Sequence, residues 1–414
     1  MAGYRDLLRT PGVGRIIAAQ LTARFPNGMT SLAILLHVEQ VTGSYGAAGL
    51  VLAATSVGQA VAGPVTSRWM GVWGMRRVLT TTLVICALGL TAMALIRMPL
   101  PAYMALGLVT GLSTPPVQSA VRTIYPKMVN SRQLTPLFSL DASLQEIIWI
   151  IAPVLITFVS TQVGTVQGLL TIVVILVGGG VWFILSPEVG RVRIPRSRRS
   201  FGKVLGKPAV LLATIIGFLL IGAAATVEAG VVATFGHEGF EAGIVLALFS
   251  VGSLAGGLAL GHIPIGPWAM ARRMLIVTVG LSLTALMLDV AWMGGTVGWL
   301  SATLIVAGIG LAPVLTVLFA ITTASVKFSE TAEAFGWIGT GQLIGAAAGS
   351  AVAGFLIDDI GPQGAYVAAA AFALVGLIVS VACVRGFPDL RHGDASPIPD
   401  TEPVSTITGR TMLP

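Results

Sequence analysis

Charge is what this sequence has least of. Only 10% of its 414 residues are Asp, Glu, Lys or Arg, against about 25% in a soluble globular domain. A water-facing surface cannot be assembled from so little charge, which excludes a soluble globular protein. Cysteine is nearly absent. Cys86 and Cys383 each sit inside an apolar run, so no disulfide framework is implied. Four histidines, His37, His237, His262 and His392, lack the spacing of metal ligands. There is no G-x-x-x-x-G-K-[ST] loop, which disfavours direct use of ATP. No Ser-His-Asp grouping stands out. An enzyme is not expected, and no metal or cofactor is implied.

What is present is apolar length. The chain is 55% hydrophobic, with a mean hydropathy of +0.90 and 51 glycines. Windows of about 20 apolar residues are long enough to cross a bilayer as helix. Twelve are found, at about 13–37, 45–67, 77–97, 101–123, 137–160, 164–186, 208–234, 240–262, 272–292, 296–324, 331–357 and 363–385. The opening MAGYRDLLRTPGVGR lacks the layout of a cleaved signal, so the first window is expected to stay in the membrane.

The Lys and Arg positions orient these windows. With the N-terminus in the cytoplasm, 22 of the 24 fall on the cytoplasmic side. Arg97 lies outside and Arg24 lies within the first window. This asymmetry follows the positive-inside rule and implies cytoplasmic termini in a cell (inner) membrane. It also turns the net charge of +7 away from nucleic acid and towards anionic lipid headgroups.

The chain then repeats itself. AGLVLAATSVG (48–58) returns as AGIVLALFSVG (242–252), with eight of eleven letters identical at an offset of 194. Arg76-Arg77 returns as Arg272-Arg273. Pro116 returns as Pro313, Phe138 as Phe335 and Gln145 as Gln342, all at 197. A nearly constant offset, 194 to 197, through four pairs of windows is a duplicated six-helix unit. Because six is even, both units run the same way through the membrane, with a substrate path expected between them. The fold class expected is an all-α membrane protein of twelve transmembrane helices in two six-helix bundles. Residues 1–186 form the first half, 187–207 a basic cytoplasmic linker, 208–386 the second half, and 387–414 a disordered tail.

This layout resembles the major facilitator superfamily. After the second helix, SRWMGVWGMRRVL (67–79) resembles its Gly-x-Leu-x-Asp-Arg-x-Gly-x-Arg-Arg signature. Gly74, Arg76 and Arg77 are kept, while Ser67, Gly71 and Val72 stand for the first Gly, the Asp and the first Arg. Ala152-Pro153 in the fifth helix resembles the Gly-Pro of the antiporter motif in drug:proton exporters. The Arg-x-x-Gln-Gly motif of their fourth helix is missing. RFPNGM (24–29) and the Asp141 to Glu146 cluster resemble elements of certain actinobacterial transporters. The resemblance implies alternating access, gating at Gly74, Arg76, Arg77, Arg122 and Pro153, and a monomer exchanging a small-molecule substrate for protons among membrane lipids.

Ionisable residues inside the bilayer cost about 2.5–3.5 kcal/mol each at a helix centre, so each needs a reason. Arg24, before the helix-weakening Pro26-Asn27-Gly28, is a candidate for charge pairing or for binding an anionic group. A purely structural ion pair is the alternative. Glu146 is expected at similar depth, paired with Arg24, as a proton carrier. Asp141 is a further proton candidate; it shares a helix face with Gln145, four residues on, and a depth with Arg122, with which it could form a structural or gating pair. Glu228 is a second proton candidate, expected to face Arg24 or substrate. Asn27, Gln145, Trp149, Trp337 and Gln342 are substrate-binding candidates. For the two tryptophans, packing or lipid contact is the plainer role. Glu330 and Glu333 suit a helix N-terminus, and Asp289 an outer helix end. The function expected is proton-coupled export of a small amphipathic molecule. Import or facilitated diffusion of an anionic metabolite, and a non-transporting scaffold or sensor, remain alternatives.

Overall fold

The computed structural model describes residues 4–197, 200–235, 240–286, 295–391 and 395–400. His237, Asp289, His392, Arg410 and the tail beyond 400 lie outside them. The described chain is nearly all helix. After a short α1 (Tyr4–Arg9) come α2 (Val13–Arg24), α3 (Thr30–Thr42), α4 (Tyr45–Trp73), α5 (Met75–Leu95), α6 (Leu100–Leu112), α7 (Val117–Ile124), α8 (Ser131–Gln162) and α9 (Thr165–Leu185). A short α10 (Pro187–Arg191) leads on to α11 (Pro208–Phe235), α12 (Phe240–Leu260), α13 (Ala269–Ala285), α14 (Gly295–Ser325), α15 (Phe328–Ile360) and α16 (Pro362–Ala382).

Among the described residues, nine helices are long and apolar enough to span a membrane unaided. Two more windows are spanned by interrupted rods. The first is α2 and α3, joined through a 3-10 turn at Phe25–Gly28. Pro26 cannot extend the α-helical ladder there, and Gly28 lets the turn approach α8, where an added Cβ would sit 2.9 Å from that of Ala152. The second is α6 and α7, separated at Ser113–Pro116 by two consecutive prolines, each of which restricts the residue before it. The single Pro313 leaves α14 unbroken. The ninth window holds α13, of 17 residues, before the undescribed stretch.

The repeated sentence has a packing reason. Its last glycine is Gly58 in α4 and Gly252 in α12. A Cβ on Gly58 would lie 2.5 Å from the Leu108 carbonyl of α6, and one on Gly252 would lie 2.5 Å from the Ile305 carbonyl of α14. Leu108 and Ile305 are themselves 197 residues apart. Close helix approach through small residues gains van der Waals contact where lipid supplies no hydrophobic drive. The duplication therefore reproduces the same helix–helix contact.

The N-terminal rods meet the C-terminal rods along α4 with α15 and along α8 with α12 and α14. The contacts concentrate in the parts of these rods nearest the Lys- and Arg-bearing loops, the basic end. Thr340 donates to the Ala60 carbonyl (2.6 Å) and Ser139 to the Gly257 carbonyl (2.5 Å). Arg68 of α4 bridges to Glu333 of α15. Towards the other end, α3 packs on α4, α8 and α9, rods of its own half.

The tail begins differently from the disorder expected from 387 onward. Phe387 and Ala395 are buried, and Ile398 pairs with the α14–α15 turn, its N–H donating to Val326 (2.9 Å). Asp400 accepts from the Ser329 hydroxyl (2.5 Å) at the start of α15. Apolar Phe387 and Ile398 and the capping Asp400 give this stretch partners that composition alone conceals.

Candidate functional site

Beside both interrupted rods lies a buried polar cluster. Arg24 ends α2 at the first interruption, Arg122 lies in α7 beyond the second, and Asp141 projects from α8 between them. Asp141 Oδ1 accepts from Arg24 Nη1 (3.1 Å), from Gln20 Nε2 (3.1 Å) and from the Tyr125 hydroxyl (3.2 Å). Asp141 Oδ2 accepts from Arg122 Nε (3.0 Å). Arg24 also donates to Gln20 Oε1 (2.8 Å) and to Gln145. Arg122 and Asp141 are 1% and 0% exposed. Every atom of this carboxylate is thus satisfied, as a buried charge requires.

Arg122 also crosses the seam between halves. Its guanidinium carbon lies 3.5 Å from the ring centroid of Phe319 in α14 and 5.8 Å from that of Phe335 in α15. Those rings pack with each other (6.0 Å) and with Phe138 of α8 (6.2 Å to each). Cation–π contact lowers the cost of an enclosed guanidinium.

Glu146 stands apart from this cluster, which corrects the expected Arg24–Glu146 pair. Asp141 takes Arg24. Successive helical residues turn by about 100°, so Glu146 leaves the face shared by Asp141 and Gln145 and points at α12. There Ser253 donates to its Oε1 (3.0 Å), with Ser250 also hydrogen-bonded to it. Ser253 in turn accepts from the Ala312 N–H of α14 (3.2 Å). Glu146 is 6% exposed, and its partners are hydroxyls of the opposite half rather than a cation.

The other candidates separate. Glu228 is exposed on α11 and is not among the partners of Arg24, which are Gln20, Asp141 and Gln145. Trp149 is 52% exposed on α8, one turn beyond Gln145, and Asn27 is exposed at the first interruption; neither is hydrogen-bonded into the cluster. Trp337 packs at 5.6 Å on Phe201 of the linker, beside Val204 and Val210. Gln342 lies against Gly217 of α11 rather than in the polar cluster with Gln145. Pro153 is inside α8, which runs through it unbroken. Gln20, Tyr125 and Ser253 escaped the sequence reading. Gln20 is one turn before Arg24 and Tyr125 one turn after Arg122, a spacing that marks both; nothing in the sequence marks Ser253.

The family model described as Major Facilitator Superfamily matches residues 16–264 and 227–409. The chain belongs to this superfamily. Solved structures share the fold at low identity. A bacterial homologue of the iron transporter ferroportin, in an outward-facing state, aligns with a TM-score of 0.71 and 12% identity over 89% of this chain and 98% of that one. The proton:xylose symporter XylE aligns at 0.69 and 12% identity over 92% and 97%. The human organic anion transporter MFSD10 aligns at 0.66 and 15% identity over 89% and 100%. No curated protein sequence matches significantly.

The superfamily signature loop behaves locally here. Gly74 joins α4 to α5 at φ 91°, a left-handed conformation that favours glycine. Arg76 donates to the Ile184 carbonyl (3.1 Å) of α9, within its own half, and Arg77 is exposed. Where the signature Asp is absent, the charge across the seam is Arg68 to Glu333. Glu333 also accepts from the Gly202 N–H of the linker (2.8 Å), and its neighbour Glu330 accepts from Lys207 (2.8 Å). Position at a helix N-terminus therefore accounts for only part of what these two glutamates do.

Proposed function

We propose that this multi-pass membrane protein is a proton-coupled secondary transporter that expels a small amphipathic molecule by alternating access. The two six-helix halves rock against each other about the α4–α15 and α8–α12 seams. By the positive-inside rule the basic end faces the cytoplasm. The conformation described, joined at that end, is then outward-facing. A monomer in the cell (inner) membrane, with cytoplasmic termini, fits this arrangement.

The position of Glu146 carries the reading. It is a carboxyl enclosed at the seam between halves, held by serine hydroxyls rather than by a cation. Enclosing an unpaired carboxylate costs several kcal/mol, and a proton on it removes that cost. Parting of α8 from α12 takes Ser253 away and exposes the group. Proton exchange and movement of the halves are thereby linked at one side chain.

The test is transport in vesicles. Purified protein is reconstituted, a pH gradient is imposed, and movement of amphipathic dyes is followed together with proton counter-flow. The wild type is expected to accumulate dye against its gradient while protons move the other way. Glu146→Gln is expected to bind dye but to lose gradient-driven accumulation. Full accumulation by Glu146→Gln overturns the assignment, and dye and protons moving together identify import.

A further inference from the structure

The polar cluster does not balance its charge. It holds two guanidiniums, Arg24 and Arg122, and one carboxylate, Asp141. The ionisable groups facing Arg122 are Asp141, Arg24 and the phenol of Tyr125. The remaining partners, Gln20, Gln145 and Gln118, whose amide oxygen accepts from the terminal nitrogens of Arg122, are neutral. Glu146, the nearest acid in sequence, turns away to Ser253. One positive charge is therefore left over in an enclosed, intramembrane place, where a charge costs several kcal/mol unless paired.

Three further observations give that surplus a purpose. Both interrupted rods contribute to this cluster, Arg24 at the break in the first and Arg122 in the short segment after the break in the second, and discontinuous helices in transporters of this kind form sites for substrate and ions. The guanidinium of Arg122 is covered by a ring from the opposite half, Phe319, so the cover leaves when the halves part at the basic end. Beside it lie further rings, Phe335 and Phe138, which offer an apolar body a surface next to the charge. Arg presents a planar fork that matches a carboxylate.

We infer that Arg122, with Arg24 beside it, is the recognition site for an organic monoanion, a carboxylate on an apolar body. Phe319 occupies the face of the guanidinium in this conformation and yields it when the basic end opens. The inference rests on alternating access and narrows the proposed substrate from amphipathic molecules to amphipathic anions.

The test needs no pH gradient, so it is independent of proton coupling. The thermal stability of the purified full chain is measured with benzoate, benzylamine or benzyl alcohol at matched ionic strength. A ligand that binds the folded state raises the midpoint by mass action. Benzoate is expected to raise it, and the amine and alcohol are not. Arg122→Gln leaves Arg24 and Asp141 balanced, so it is expected to fold and to lose the benzoate shift. Phe319→Leu removes the covering ring and is expected to enlarge the shift at a given concentration. Glu146→Gln is expected to keep the shift while losing proton-driven transport, so the two proposals fail separately. No benzoate-specific shift, an equal shift from benzylamine, or a full shift in Arg122→Gln overturns the inference.

Discussion

The two halves of this molecule share their packing and differ in their chemistry. Gly58 beneath the Leu108 carbonyl and Gly252 beneath the Ile305 carbonyl are the same contact written twice. At the positions that hold the polar cluster, the copies part. Moving on by 197 residues takes Arg122 to Phe319, Asp141 to Ile338 and Tyr125 to Thr322, all of them buried. The cation of one half is the ring that covers it in the other. Both interrupted rods also belong to the N-terminal half, whereas α14 runs unbroken past Pro313. Duplication supplied two equivalent supports. The buried ion-pair cluster stands in one of them, where two arginines share a single carboxylate. The opposite half contributes a ring and a serine to the seam.

The largest test of this asymmetry is removal of the one carboxylate. Asp141→Asn leaves two enclosed guanidiniums unpaired and is expected to cost about 3–5 kcal/mol. That loss is read as a drop in the unfolding midpoint of the purified protein. Arg122→Gln removes the surplus and is expected to cost markedly less. Equal losses would mean that the cluster is balanced by a charge elsewhere, and the contrast between halves would fail. The duplicated packing comes next. Gly58→Ala and Gly252→Ala each press a methyl against a backbone carbonyl and are expected to cost a similar amount, about 1–3 kcal/mol, in the same measurement. A large effect in only one half would show that the packing is not equivalent. Ser253→Ala strips a donor from Glu146 and is expected to cost about 1–3 kcal/mol. Smallest is Arg68→Ala, which removes a partly exposed ion pair across the seam. It is expected to change stability by about 1 kcal/mol or less, while raising the reactivity of cysteines placed along α4 and α15 at the basic end.

The rods were legible because apolar length and the repeat offset are one-dimensional signals. The apolar windows, the duplication and the membership of the superfamily follow from them. The interruption at Pro26 was legible too, since a proline and a glycine fall together there. The partner of Arg24 is hidden in the sequence, because depth along a rod is legible there and direction around it decides. Asp141 and Gln145, four residues apart, share one face, and Glu146, about 100° further round, faces α12 instead of Arg24. Trp337 and Gln342 are expected at the site because they lie on a helix that borders the path between the halves, but α15 turns them towards the linker and α11. The Arg68–Glu333 bridge joins residues 265 positions apart, and no local pattern announces it. Nor does any pattern mark Ser253, which matters only because α12 crosses α8 at that point.

The central claim is that the state of Glu146 and the opening of the basic end are one equilibrium. Distance measurement between spin labels tests it most directly. With Cys86 and Cys383 replaced by Ala, labels are attached through Arg132→Cys on α8 and Arg272→Cys on α13, exposed positions on opposite halves. In reconstituted wild-type protein the distance distribution is expected to change between acidic and alkaline buffer as the halves close and part. With Glu146→Gln the distribution is expected to be the same in both buffers. A pH-dependent distance that survives Glu146→Gln unchanged would contradict the account.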